Sequence, residues 1–268
     1  MSDDLATPVA AVPMVAHGLH GPPDAPVLML GNSLGTSAAV WGHQIDQFSG
    51  AFRLLRYELP GHGGSPAAPE PYTIDGLGCG VLAMLDSLGV GQVAYCGISL
   101  GGMIGMWLAA HAPDRISALG LVCTSAYLPP AAGWLARAEQ VRASGLASVA
   151  DQVIGRWFTP AYAASAPAVI DAFRAEFVRT DPGGYAGCCA AIAGMDQRAS
   201  LAAVTAPTLV IAGGQDPAAP PEHAEVIARC IPGARVEVID NAAHLAPVSE
   251  PGRVTTALLS HLRAAMPL

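Results

Sequence analysis

The sequence contains no lysine: all 13 of its basic residues are arginine, set against 21 acidic residues for a formal net charge of −8. The arginines form no cluster or stripe, which excludes the electrostatic footprint of a nucleic-acid binder. Charged residues are only 13% of the 268 and aromatics 6%, while 52% are hydrophobic. So little charge beside so much apolar surface excludes a disordered chain. The 30 glycines and 23 prolines are scattered without a period, which excludes collagen-like and low-complexity classes. The longest apolar stretches, around 98–110 and 186–195, are Gly/Ala-rich and shorter than the roughly 18 residues a membrane-spanning helix needs. The six cysteines show no C-x-x-C and no His at zinc spacing. Neither a metal site nor a disulfide framework is expected, and the cysteines read as small buried hydrophobes. Met1-Ser2-Asp3-Asp4 lacks the basic region of a signal peptide. The expectation is a cytoplasmic protein with neither nucleic acid nor membrane among its partners.

What is present is an alternation of short β-rich apolar runs with helical patterns, which predicts an α/β fold with a mostly parallel sheet. The runs are Val27–Leu30, Arg53–Tyr57, Val93–Cys96, Leu119–Cys123, Thr208–Ala212 and Val236–Ile239. Continuous apolar runs of this length suit strands covered on both faces. Between the second and third, Ile74, Leu77, Val81, Leu82, Leu85 and Leu88 recur at helical spacing, with Thr73 placed to cap the helix and Gly89 to end it. The alternation breaks from about 126 to 200, where Trp134, Trp157, Phe158, Phe173 and Phe177 lie in helical patterns joined by Pro/Gly turns. The reading is a single domain over 1–268, with a core of 1–125 and 201–268 and a helical cap at about 126–200.

Gly97-Ile98-Ser99-Leu100-Gly101 follows an apolar strand and precedes an apolar helix. That is G-x-S-x-G in the strand–turn–helix context that lifts a serine out of a sheet as a nucleophile. A serine hydroxyl needs a base to take its proton, and the base needs an orienting carboxylate. Gly213-Gly214-Gln215-Asp216 follows the fifth run and Asn241-Ala242-Ala243-His244 the sixth. Ser99, Asp216 and His244 therefore stand in the order Ser…Asp…His, each after a strand and so on one sheet edge. Asp240 closes the same strand that His244 follows and would have to fold back. His62, His111 and His223 sit in turn or helix patterns that suit surface or packing roles. Donors for a developing oxyanion are expected from the Leu100 N–H at a helix N-terminus and from the loop after the first run. In that loop, spacing to Trp41 selects the Leu34 N–H, with the Ser33 side chain as second choice.

Together these residues resemble the α/β-hydrolase superfamily over nearly the whole chain. Asn32–Thr36, Trp41, Arg56-Tyr57, Pro60–Ser65 and Cys96–Met103 are similar to 3-oxoadipate enol-lactonases, as are Arg156–Pro160, Gly184–Ile192 and Pro207–Gly213. The elbow is common to the superfamily; the cap segments carry the narrower resemblance. One departure is Glu58-Leu59-Pro60-Gly61-His62-Gly63 where Asp-x-Arg-Gly-His-Gly is common, so no anion site is assigned to that loop. The resemblance implies cofactor-free hydrolysis of a small anionic lactone through an acyl-enzyme on Ser99. It also implies a local cation for the substrate carboxylate. Arg137 is the first choice and Arg156 the second, with Trp134 and Trp157 lining the pocket. A broader esterase or other lactonase, and a ligand-sensing pseudo-hydrolase, are the competing expectations.

Overall fold

The apolar runs form the strands of one sheet in the computed structural model, which describes residues 10–266. The acidic start at Met1-Ser2-Asp3-Asp4 lies outside the described residues. The strands are β1 (Val15–His20), β2 (Val27–Gly31), β3 (Arg53–Glu58), β4 (Val93–Ile98), β5 (Ile116–Val122), β6 (Thr208–Gly213) and β7 (Arg235–Ile239). Their order across the sheet is β1-β3-β2-β4-β5-β6-β7. β1 pairs antiparallel with β3, and every other pairing is parallel. Six strands lie where the apolar runs predict them. β1 was not among the predicted strands: as an edge strand reading Val-Ala-His-Gly-Leu-His it lacks the continuous apolar run of a doubly covered strand. β5 begins three residues early and ends at Val122, because Cys123 turns to φ 45°.

The helices are α1 (Ile45–Ser49), α2 (Ile74–Ser87), α3 (Leu100–His111), α4 (Ala131–Ser144), α5 (Ala150–Ile154), α6 (Pro160–Ser165), α7 (Pro167–Phe177), α8 (Pro182–Gly194), α9 (Pro221–Cys230), α10 (Ala246–Ser249) and α11 (Pro251–Ala265). Thr73 caps α2 by accepting from the Gly76 N–H at 3.0 Å. β4 and β6 are buried along their whole length, as parallel strands between helical layers must be. No helix among the described residues is long and apolar enough to cross a membrane.

Five helices, α4 to α8, lie between β5 and β6. The two ends of this insertion meet: Tyr127 and Asp196 form an antiparallel bridge, and the Gln197 N–H donates to the Ala126 carbonyl at 2.9 Å. Small residues let α8 press onto the core. A Cβ at Gly184 would stand 2.5 Å from the Pro60 carbonyl oxygen, and one at Gly187 would overlap the Tyr72 ring. The Gly184–Ile192 segment thus reads as a docking face, shaped by contact with the Pro60–Gly61 turn.

Candidate active site

Because β4, β6 and β7 run parallel, their C-terminal ends open onto one edge, and Ser99, Asp216 and His244 follow those ends. Ser99 takes φ 54° and ψ −118° between β4 and α3, a conformation L-residues rarely adopt and one that is stored where surrounding structure enforces it. The enforcement is steric. A Cβ at Gly97 would come within 2.4 Å of the Gly101 backbone, and one at Gly101 within 2.4 Å of the Gly31 backbone. The glycines of the elbow let β4, α3 and the loop after β2 pack at backbone contact.

His244 Nδ1 lies 2.8 Å from Asp216 Oδ2. The other carboxylate oxygen, Oδ1, accepts from the Ala218 N–H at 2.8 Å and the Ala219 N–H at 3.1 Å. Burial by itself would raise the Asp216 pKa. The attraction and hydrogen bond of His244, joined by the two backbone donors, outweigh it and hold the carboxyl below its ordinary value. A carboxylate held this way fixes the imidazole with Nδ1 as donor and leaves Nε2 to act as a base. Asp240, by contrast, is exposed.

Ser99 and His244, both buried, line a cavity of about 480 Å³, within the usual range of small-molecule pockets. Ser33 and Leu34 form part of its wall. The Leu34 and Leu100 N–H groups are claimed by no acceptor among the described residues, so both remain available to an oxyanion. Of the cap residues singled out in the sequence, Trp134, Arg137, Arg156 and Trp157 all line the same cavity. Arg137 stacks over the Trp134 ring at 4.6 Å. The buried Trp157 ring meets Phe177 edge-on at 5.5 Å.

Three features escaped the sequence reading. Glu58, at the end of β3, is buried and accepts from the Ala38 N–H at 3.0 Å and from Asn32 Nδ2 at 3.1 Å. Its carboxylate braces the loop that carries Ser33 and Leu34. Under the elbow, the Tyr57 and Tyr95 hydroxyls meet at 2.8 Å, and Tyr95 donates to the Gly101 carbonyl at 2.8 Å. Tyr185 of α8 is fully buried in the cavity wall, and its hydroxyl has no hydrogen-bond partner of ordinary geometry among the described residues. Burial drives its phenol pKa up, and the neighbouring Arg137 guanidinium pulls the other way. Each of these is a contact between residues distant in sequence, and no local pattern signals it. Cys123 also lines the cavity, but burial and then the Asp216 charge raise its thiol well above the ordinary value. A thiol whose thiolate is disfavoured this way is a poor nucleophile.

His62 packs rather than reacts: it is fully buried, with Nδ1 2.9 Å from the Pro60 carbonyl oxygen. His111 stacks on Trp107, its ring centroid 4.8 Å away.

Comparison with known proteins agrees with this architecture. The family model described as the alpha/beta hydrolase fold matches residues 19–251. A 3-oxoadipate enol-lactonase of Acinetobacter baylyi is 38% identical, over 88% of this chain and 88% of its own. Among solved structures, the enol-lactonase of Burkholderia xenovorans is 37% identical with a TM-score of 0.91, covering 95% of this chain and 99% of that one. A hydrolase of Pseudomonas aeruginosa is 42% identical with a TM-score of 0.89, covering 93% of this chain and 94% of that one. The chain belongs to the α/β-hydrolase family.

Proposed function

We propose that this ester hydrolase opens 3-oxoadipate enol-lactone to 3-oxoadipate, a step of aromatic-compound catabolism, by nucleophilic catalysis on Ser99. The observation that carries the reading is the shared cavity. Ser99 on its strained elbow, the His244–Asp216 pair and the cap arginines face one space, in a chain similar to two Acinetobacter baylyi enol-lactonases. Ser99 Oγ attacks the lactone carbonyl as His244 Nε2 takes its proton, and Asp216 holds the imidazole and offsets its charge. The Leu34 and Leu100 N–H groups receive the oxyanion. Collapse of the tetrahedral intermediate breaks the ring C–O bond and expels an enolate, a better leaving group than an alkoxide. The enolate takes a proton and tautomerises to the ketone. Water activated by His244 then releases the acid from Ser99. Nothing in this sequence of steps calls on a metal or organic cofactor.

The substrate is an anion while the chain carries −8, so a local cation must hold it. Arg137, half-buried and stacked on Trp134, takes the lactone carboxylate, with Trp134 and Trp157 lining the ring's path. The core of 1–125 and 201–268 and the cap of about 126–200 act as one domain in this reading. Six free cysteines accord with a cytoplasmic setting. The test is enol-lactone hydrolysis followed by ultraviolet absorbance. Wild-type protein should turn it over, and Ser99→Ala should lose at least about 10⁴-fold in kcat. Absence of wild-type activity would sink the assignment.

A further inference from the structure

The cavity holds two cations where the proposed substrate brings one anion. Arg137 and Arg156 both line it, and no Asp or Glu is among its lining residues. Among the described residues six arginines are in ion pairs, and of those that are not, only Arg137 and Arg156 line the cavity. A half-buried guanidinium without a carboxylate, in a protein of net charge −8, is a cation held in reserve for an anion that arrives.

The two arginines are anchored to different parts of the wall. Arg137 belongs to α4, lies over Trp134 and sits beside Tyr185 of α8. Arg156 follows α5 in a turn tied to the His244 segment: the Leu245 N–H donates to the Trp157 carbonyl at 2.9 Å. Arg156 is thus one residue from a backbone bond to the neighbour of His244, and Arg137 faces α8.

Hydrolysis changes the charge of the ligand. Water adds across the ring C–O bond of a lactone monoanion, and the product is a dicarboxylate dianion and a proton. The second carboxylate arises at the acyl carbon, beside Ser99 and His244. We propose that Arg156 forms a second anion subsite, which receives the carboxylate created by ring opening, so that the cavity binds linear six-carbon dicarboxylates through Arg137 and Arg156 together. The subsite rests on the lactonase reading for its chemistry. Its consequence is product inhibition by dicarboxylates.

Calorimetric titration of the wild-type protein with adipate and, separately, with hexanoate tests this without any turnover. Adipate should bind at least about tenfold more tightly than hexanoate, because only adipate engages both arginines. Arg156→Gln should bring the two ligands within about threefold of each other, and Arg156→Lys, which keeps the charge but not the fork, should restore part of the gap. Equal binding of adipate and hexanoate by wild type, or a ratio unchanged in Arg156→Gln, overturns the subsite. Failure of the lactonase reading would show instead in the lactone assay, which this titration does not use.

Discussion

The sheet core and the helices between β5 and β6 are built on different terms. In the core, β4 and β6 are buried at every residue, and the reactive groups sit where backbone geometry puts them. In the cap, burial is concentrated on α8, the helix docked on the core, while α6 buries no residue, α7 only Phe177 and α4 only Ala138 and Val141. The cap instead offers arginines and a chain of aromatic contacts, in which Trp157, Phe173, Phe177 and Tyr185 meet edge to face. On the proposed mechanism the difference is a division of labour: the core would supply a rigid nucleophile, base and donors, and the cap charge and shape. Changes in the core should therefore act on kcat and changes in the cap on KM.

The largest expected effect breaks the core. Asp216→Asn should lower kcat about 10⁴-fold with little change in KM, because the amide disturbs the tautomer that presents Nε2 as a base. Steady-state kinetics on the enol-lactone checks this, and a loss confined to KM would contradict the division. Next in size comes the cap. Arg137→Ala should raise KM for the lactone about tenfold to a hundredfold, since it removes the charge-assisted contact to the carboxylate. Hydrolysis of a neutral ester such as 4-nitrophenyl acetate is the control. An equal loss on both substrates would make Arg137 structural, and no loss on either would end its role.

The smallest effect lies at the seam of the two regions. Asp181, the N-cap of α8, donates its N–H to the Gly61 carbonyl at 2.8 Å, next to the fully buried His62. Burial pushes the His62 pKa down to about 4, against the partial help of the Pro60 hydrogen bond and the Asp181 charge. A depressed folded value means that the unfolded chain binds the proton more readily. Stability is therefore full above the unfolded value near 6.5 and is lost as pH falls toward 4. Between pH 6.5 and pH 5 the loss is on the order of 1–2 kcal/mol. Asp216 has its carboxyl held low and works in a separate window: its contribution is present above the unfolded value of 3.8 and is lost only as pH falls through the folded one. Denaturant unfolding of wild type and His62→Gln at the two pH values should show the extra acid loss in wild type alone. Equal slopes would remove His62 from the account.

Much of the core site was legible because local rules govern it. A strand, a sharp turn and a helix around Ser99, and an Asp and a His each following a later strand, are patterns a few residues long. Parallel topology turns such patterns into proximity without further information. Glu58 was not legible. In the sequence it stands only as the head of the Glu58-Leu59-Pro60-Gly61-His62-Gly63 segment, and its worth lies in reaching Asn32 and the Ala38 N–H across some twenty residues. Tyr185 likewise falls in a small-residue helix whose purpose shows only once Gly184 and Gly187 are seen against Pro60 and Tyr72.

The amino-acid sequence by itself determined the parallel sheet, the elbow at Ser99, the order of Asp216 and His244, and a helical stretch rich in aromatics between β5 and β6. Periodicity and turn chemistry act over a few residues, and a reader can follow them. Only the tertiary structure decided that Arg137 and Arg156 would line one cavity free of carboxylates. It also decided that a buried carboxylate would brace the loop after β2, and that a neutral histidine would lie under the cap. Those are contacts between distant segments, set by close packing and by the cost of burying charge, and neither leaves a local mark in a chain.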